Sequence, residues 1–258
     1  MSCGPSGRRL LRRPGAAPCI NRGLTAGNAM KVLVSALLLM CGGLLLRASL
    51  AGEPAVAVPP PAIDNPRTAA ALQTAVLAGG CFWGVQGVYE HMTGVRRVLS
   101  GYSGGQSSTA HYELVGTGQT GHAESVEITF DPQLVSYGEI LQVFFSVAHD
   151  PTQVNRQGPD TGSQYRSAIF YADDSQRKVA VAYIAQLDKA GVFRAPIATR
   201  VDPLKGFFRA EDYHQDFLLR NPTNAYIAFN DLPKIRNFQQ TLPALYQGKP
   251  VTVAALTH

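Results

Sequence analysis

Cys81 stands between two glycines and two aromatic residues in the stretch Gly80-Cys81-Phe82-Trp83-Gly84. An apolar run, Thr74-Ala75-Val76-Leu77-Ala78, reads as a short strand and ends at Gly79-Gly80. From Cys81 onward, Trp83, Val85, Val88, Tyr89 and Met92 follow a helical period up to Gly94. A thiolate at such a helix start faces unpaired backbone N–H groups and the positive end of the helix dipole, and both lower its pKa. The flanking glycines let a substrate come close to the backbone. Phe82 and Trp83, the only tryptophan, can wall an apolar slot. A lone cysteine is more often a buried packing residue; the glycine fence and the helix start favour a nucleophile here.

The second group able to do chemistry is Glu124, in Gly121-His122-Ala123-Glu124. It shares the parity of Val126, Ile128 and Phe130 along an alternating strand, so its carboxyl points to the apolar face. A carboxyl group there finds a cation or keeps a proton, and desolvation raises its pKa toward that of a general acid at neutral pH. His122 has the opposite parity and reads as structural. A long polar loop, His149 to Gln164, carries Asp160 as a hydrogen-bond acceptor for a substrate N–H, and Tyr165 follows it. Tyr112 brings a second phenol from the loop before Glu124. No C-x-x-C, H-E-x-x-H, G-x-S-x-G or phosphate-loop pattern occurs, so no metal is expected.

The elements that must position these groups mix strands and helices without strict alternation. Strands are expected at Val95–Tyr102, Ala123–Phe130 and Arg166–Tyr171, with an edge strand at Ile197–Val201. Ser136 and Glu139 form a capping box for a helix through Phe145. Further helices are expected at Ser175–Ala190, ended by Gly191, and at Ala210–Leu219 as the last one. The pattern predicts an α/β sandwich with a partly antiparallel sheet.

Of the 23 Lys and Arg residues, seven lie in residues 1–52, which contain no Asp or Glu. The other basic residues face 18 acids, so the remainder is slightly acidic and shows no nucleic-acid footprint. Val32–Leu46 is an apolar run too short for a membrane span and suited to a signal peptide, with Ser49-Leu50-Ala51 as a cleavage site. Residues 1–51 are therefore read as a leader, for export to the periplasm or beyond. A retained membrane anchor and an organellar transit peptide are the alternatives. Residues 52–68, with Pro54, Pro59, Pro60, Pro61 and Pro66, read as an extended linker that builds no core. Residues 69–247 form the expected catalytic domain and 248–258 a flexible tail. Three of the four cysteines, Cys3, Cys19 and Cys41, fall in the leader.

Taken together, the motifs closely resemble the A-type peptide-methionine sulfoxide reductases over about residues 74–220. The likeness rests on GCFWG at 80–84, Gly101-Tyr102-Ser103-Gly104-Gly105, Thr120 to Glu124, Phe130-Asp131-Pro132, His149-Asp150-Pro151-Thr152, Asn155 to Ser167, and Ala210 to Asp216. It implies a ferredoxin-like two-layer α/β fold and reduction of the S-epimer of methionine sulfoxide, free or in proteins, as oxidative repair. By the same resemblance Cys81 is the nucleophile and Glu124 the acid. Tyr112 and Tyr165 bond the sulfoxide oxygen, Phe82 and Trp83 hold the substrate methyl group, and Asp160 holds the substrate backbone. Many members carry resolving cysteines after the Asn-Pro that ends the last helix; here no cysteine follows Asn221-Pro222. A Cys81 sulfenic acid is thus expected to need an external thiol of thioredoxin, glutaredoxin or glutathione type, with the chain acting as a monomer. The competing readings are a cysteine hydrolase using His122 or His214 as base, and an envelope module that only binds methionyl side chains.

Overall fold

The computed structural model describes residues 52–68 and 71–253. These belong to one compact unit, Leu50–His258. The central sheet starts with β1, Gln73–Gly79, whose unbroken apolar run lies between two other strands and is covered on both faces. Gly80 then takes φ +91°, and Gln157 Cβ would stand 2.6 Å from any side chain there, so the turn into the next element requires glycine. Helix α1, Phe82–Glu90, follows, then β2, Val95–Ser103. A short helix α2, Tyr112–Val115, precedes β3, Ala123–Phe130. Helix α3, Tyr137–Val143, continues into a wider turn at Phe144–Ala148. Two-residue strands β4, Arg156–Gln157, and β5, Asp160–Thr161, make a small hairpin within the polar stretch, and β6, Ser167–Tyr171, returns to the sheet.

In that sheet β6, β1, β3 and β2 lie side by side, all antiparallel, which is the ferredoxin-like order. After helix α4, Asp174–Ala190, strand β7, Arg200–Pro203, adds parallel to β6 on one edge. Strand β8, Phe207–Arg209, adds antiparallel to β2 on the other. The main core lies between the sheet and its helices and takes in Leu77, Val126, Ile128, Phe130 and Val85. A smaller cluster, including Val76, Ala78 and Phe170, occupies the opposite face. The α/β class with a mixed sheet is therefore as the sequence leads one to expect. The Ser136 capping box is present, with Glu139 N donating to Ser136 Oγ and Ser136 N to Glu139 Oε2. Asp173 caps α4, and Gly191 closes it at φ +61°.

Five expectations need correction. Ala210–Leu219 is not one helix. Gln215 reaches Ser100 N, Ser100 O and Ala210 O and pins the chain to β2, and Asp216 turns at φ +53°. Only a short helix α5, Phe217–Arg220, remains. The last helix is α6, Leu232–Thr241, entered through a wide turn at Ile227–Asp231, with Pro233 in its first turn. The edge strand begins at Arg200 rather than Ile197 because Ala198 N is occupied by Pro151 O.

The proline-rich segment is extended, yet it does build core. Val58 is buried there, Val56 N donates to Ser146 O, and Gln142 and Tyr183 donate to the carbonyls of Val58 and Pro59. Proline removes donors but leaves carbonyls and alternate side chains free to dock. The tail is held in part as well: Val251 N donates to Glu90 O and Val253 N to Asp216 Oδ1. The leader and the start of the 69–247 boundary lie outside the described residues.

Because Val58 sits in the main core, Val58→Ala is expected to destabilise the fold by about 2 kcal/mol, from lost methyl burial and the space left behind. Urea unfolding monitored by Trp83 fluorescence measures it. An unchanged midpoint would return residues 52–68 to the status of a free tether.

Candidate active site

Cys81 is the N-cap of α1, at the junction where β1 gives way to the helix, and is 8% exposed. The first amide of the helix, Phe82 N, donates to Glu124 Oε2 at 3.1 Å. Glu124 lies near the start of β3 opposite Tyr102 of β2, facing the helix layer as its parity requires. Cys81, Phe82, Trp83, Tyr112, Glu124, Asp160 and Tyr165 all line one cleft of about 170 Å³. The eighth lining residue is Tyr226. Its hydroxyl donates to Asp160 Oδ2 in a short hydrogen bond. Sequence reasoning did not single out Tyr226. The sign that it belongs here, an aromatic leading into a buried helix entrance, emerges only once α6 is known.

The supports are polar and specific. Glu211 accepts from Tyr102 Oη at 2.8 Å and from Tyr112 N at 3.0 Å, which fixes the start of α2 and with it the Tyr112 ring. Arg166 donates to the carbonyls of Gly121, His122 and Ser163, and so clamps the approach to Glu124 to the turn that carries Tyr165. The Trp83 indole stacks on Phe217 at 3.9 Å and donates to His214 Nδ1. His122 engages Gly105 N and the Gln106 carbonyl with its two ring nitrogens, a structural arrangement. His214 is buried, and burial lowers its pKa. Neither histidine is hydrogen-bonded to Cys81.

Electrostatics correct one expectation. Burial pushes the Cys81 thiol well above the ordinary value; Glu124, Asp231 and Asp160 push the same way, and the Trp83 amide pulls it down. The helix start therefore does not prevail at rest, and Cys81 is a thiol. Glu124 is raised to about 8, chiefly by burial and further by Asp160 and Asp231, against the Phe82 amide. It holds its proton at neutral pH. Burial followed by the Glu124 charge also raises Tyr112 and Tyr165, so both phenols remain donors. Asp160 is raised by burial despite the Tyr226 bond. The cleft thus presents a proton-bearing acid and two phenols to whatever reaches the sulfur. Among the described residues no group of three or more His, Cys, Asp or Glu is arranged to hold a metal.

A thiol, a protonated carboxyl and phenols around one apolar slot on a ferredoxin-like sheet define a thiol-dependent oxidoreductase site, and the comparisons agree. The family model for peptide methionine sulfoxide reductase matches residues 73–245. The peptide methionine sulfoxide reductase MsrA 2 of Mesorhizobium japonicum is 59% identical, over 72% of this chain and 95% of that protein. Its namesake from Synechocystis is 54% identical, over 71% and 87%. Among solved structures, reduced Mxr1 from Saccharomyces cerevisiae has a TM-score of 0.55 at 31% identity, covering 66% of this chain and 96% of that one. Methionine sulfoxide reductase A of Corynebacterium diphtheriae has 0.52 at 34%, covering 68% and 89%. The chain belongs to the peptide methionine sulfoxide reductase A family, and its activity is the reduction of methionine sulfoxide.

The raised Glu124 pKa has a direct readout. In infrared spectra a protonated carboxyl band assignable to Glu124 is expected at neutral pH, absent from Glu124→Gln and lost as pH rises through about 8. A band lost already in the ordinary carboxylate range would contradict the raised value.

Proposed function

We propose that Cys81 attacks the sulfur of the S-epimer of methionine sulfoxide, free or within proteins, with Glu124 as general acid. The observation that carries this reading is the convergence of one thiol, one protonated carboxyl and two phenols on the same small cleft. A sulfoxide sulfur is a poor electrophile until its oxygen is protonated or strongly hydrogen-bonded, which Glu124, Tyr112 and Tyr165 provide. Phe82 and Trp83 receive the methyl group, and Asp160 takes a backbone N–H of the substrate. Epimer preference is taken from the family resemblance.

In the overall transfer the S–O bond of the substrate breaks and oxygen ends on Cys81 as a sulfenic acid. The substrate sulfur gains two electrons and the Cys81 sulfur loses two, so methionine leaves with no cofactor involved. One external thiol then condenses with the sulfenic acid, releasing water and leaving a mixed disulfide. A second thiol frees Cys81 and leaves as part of a disulfide. A thioredoxin-, glutaredoxin- or glutathione-type donor suits this role, since no cysteine follows Cys81 in the chain. The acid-free leader, outside the described residues, supports export and repair in an oxidising compartment, where a dedicated donor is needed.

Cys81→Ser is expected to abolish reduction of a methionine sulfoxide peptide while keeping the fold, because a hydroxyl is far less ionised and a poor nucleophile toward sulfur. Measurable turnover by the purified variant refutes the reading. Glu124→Gln is expected to slow sulfenic acid formation in single turnover by roughly 10²–10⁴-fold; a wild-type rate removes the general-acid role. With one equivalent of sulfoxide and no reductant, the intact mass of the protein cleaved after Ala51 should rise by one oxygen, trappable by dimedone. A loss of two hydrogens without dimerisation would instead reveal an internal disulfide.

A further inference from the structure

A thiol buried among Glu124, Asp160 and Asp231 has to become a thiolate to attack, and each of those carboxyls opposes it when ionised. The helix start cannot be the whole answer, since its first amide is bonded to Glu124. Among the described residues two cationic side chains are buried, Arg166 and Lys234. The Arg166 guanidinium is engaged with three backbone carbonyls. Lys234, in the first turn of α6, is not so engaged.

Its surroundings reach the first turn of α1. Lys234 Nζ lies 3.7 Å from Asp231 Oδ1, with side chains 7% and 0% exposed. Neither Asp231 oxygen has a hydrogen bond. The Asp231 carboxyl packs on Gly84, in the first turn of the helix that Cys81 caps: a Cβ at Gly84 would stand 2.1 Å from Asp231 Oδ1. Nearby, Glu53 Oε1 accepts from Gln153, and its Oε2 is buried without a partner. Burial opposes the ammonium, yet Asp231, Glu53, Cys81 and Asp160 together hold Lys234 above its ordinary pKa, so it is charged throughout the neutral range. Burial raises Asp231 to about 7 despite Lys234, so near neutrality the pair carries a net positive charge part of the time. His149, which also senses Lys234, is lowered to about 3 by burial and is neutral.

We propose that Lys234 is a positioning residue of the reductase, whose buried ammonium, held against the first turn of α1 by Asp231 and flanked by Glu53, stabilises the Cys81 thiolate. Asp231 has the opposite effect on the thiolate and sets how much of that charge Cys81 receives. The inference rests on Cys81 being the nucleophile. It concerns thiol ionisation and can fail independently of that reading.

The test is the pH dependence of iodoacetamide alkylation at Cys81 in the full chain, followed by mass spectrometry of the Cys81 peptide. Lys234→Met is expected to cut the thiolate fraction at neutral pH by about tenfold, an upward shift of about one unit in the midpoint. Lys234→Arg should restore most of it. Asp231→Asn should shift the midpoint downward. A purely structural ion pair would lower the melting temperature of both variants without moving their midpoints in opposite directions. An unchanged midpoint in folded Lys234→Met, or an upward shift in Asp231→Asn, overturns the proposal. Should Lys234→Met not fold, Asp231→Asn decides alone: a downward shift supports the proposal, and no shift refutes it. Turnover by Cys81→Ser would instead strike the nucleophile reading and leave the ionisation result standing.

Discussion

The amide of Phe82 and the carboxyl of Glu124 meet at 3.1 Å, and the layout of the site depends on that hydrogen bond. Each partner has a reason to be there. The first N–H groups of α1 have no acceptor within the helix, and a buried carboxyl needs a donor. Their pairing ties the start of α1 to the start of β3. Since Phe82 follows Cys81 directly, the spacing between thiol and acid is set by backbone and not by the packing of long side chains. Gly80 before the cysteine and Gly84 after it permit the close approach of Gln157 and Asp231 to this junction. Arg166 and Glu211 then bring the turn bearing Tyr165 and the helix bearing Tyr112 to the same place.

That bond has an electrostatic consequence. A helix terminus that already serves a carboxyl has less to offer a thiolate, and burial adds a penalty for any charge on sulfur. At rest the cleft carries its protons: thiol on Cys81, acid on Glu124, phenols on Tyr112 and Tyr165. A sulfoxide is neutral and strongly dipolar, so it enters a site whose donors are already aimed where negative charge develops on its oxygen. On the proposal above, the cation acts on the sulfur rather than on the oxygen, and Lys234, one helical turn beyond Asp231, pairs with the carboxyl that packs on the first turn of α1.

Much of this was legible in the sequence where local chemistry and period coincide. The β1–Gly–Gly–Cys81–α1 unit, the alternation of β3 that turns Glu124 inward, and the Ser136 capping box are short-range signals that tertiary structure had no cause to override. Seven lining residues of the cleft were named from motif and resemblance; the cleft itself brings them together. What stayed hidden depends on contacts distant in sequence. The break at Asp216 is enforced by Gln215 reaching across to Ser100. Strand β8 is three residues long and exists because β2 offers it an edge. The docking of 52–68 depends on partners in α3 and α4. Tyr226 joins the cleft, and Asp231 packs on the first turn of α1, only because the entrance to α6 folds back on α1. The raised thiol pKa was likewise beyond reach, because a helix-start argument counts the dipole and cannot count the burial.

The dimensions of the cleft also constrain the order of events. About 170 Å³ admits the end of one side chain, and the sulfur that lines it belongs to Cys81, a residue 8% exposed. Methionine and a reducing thiol both have to reach that sulfur through the one cleft, which Trp83, Tyr226 and Tyr112 help to line. With no further cysteine from Cys81 to the end of the chain, no second thiol within this domain can approach the sulfur by another route. The two reactants therefore exclude each other: the repaired methionyl group has to withdraw before the reductant enters. In the proposed mechanism this makes a double-displacement cycle, with the Cys81 sulfenic acid as the form that waits between the two visits.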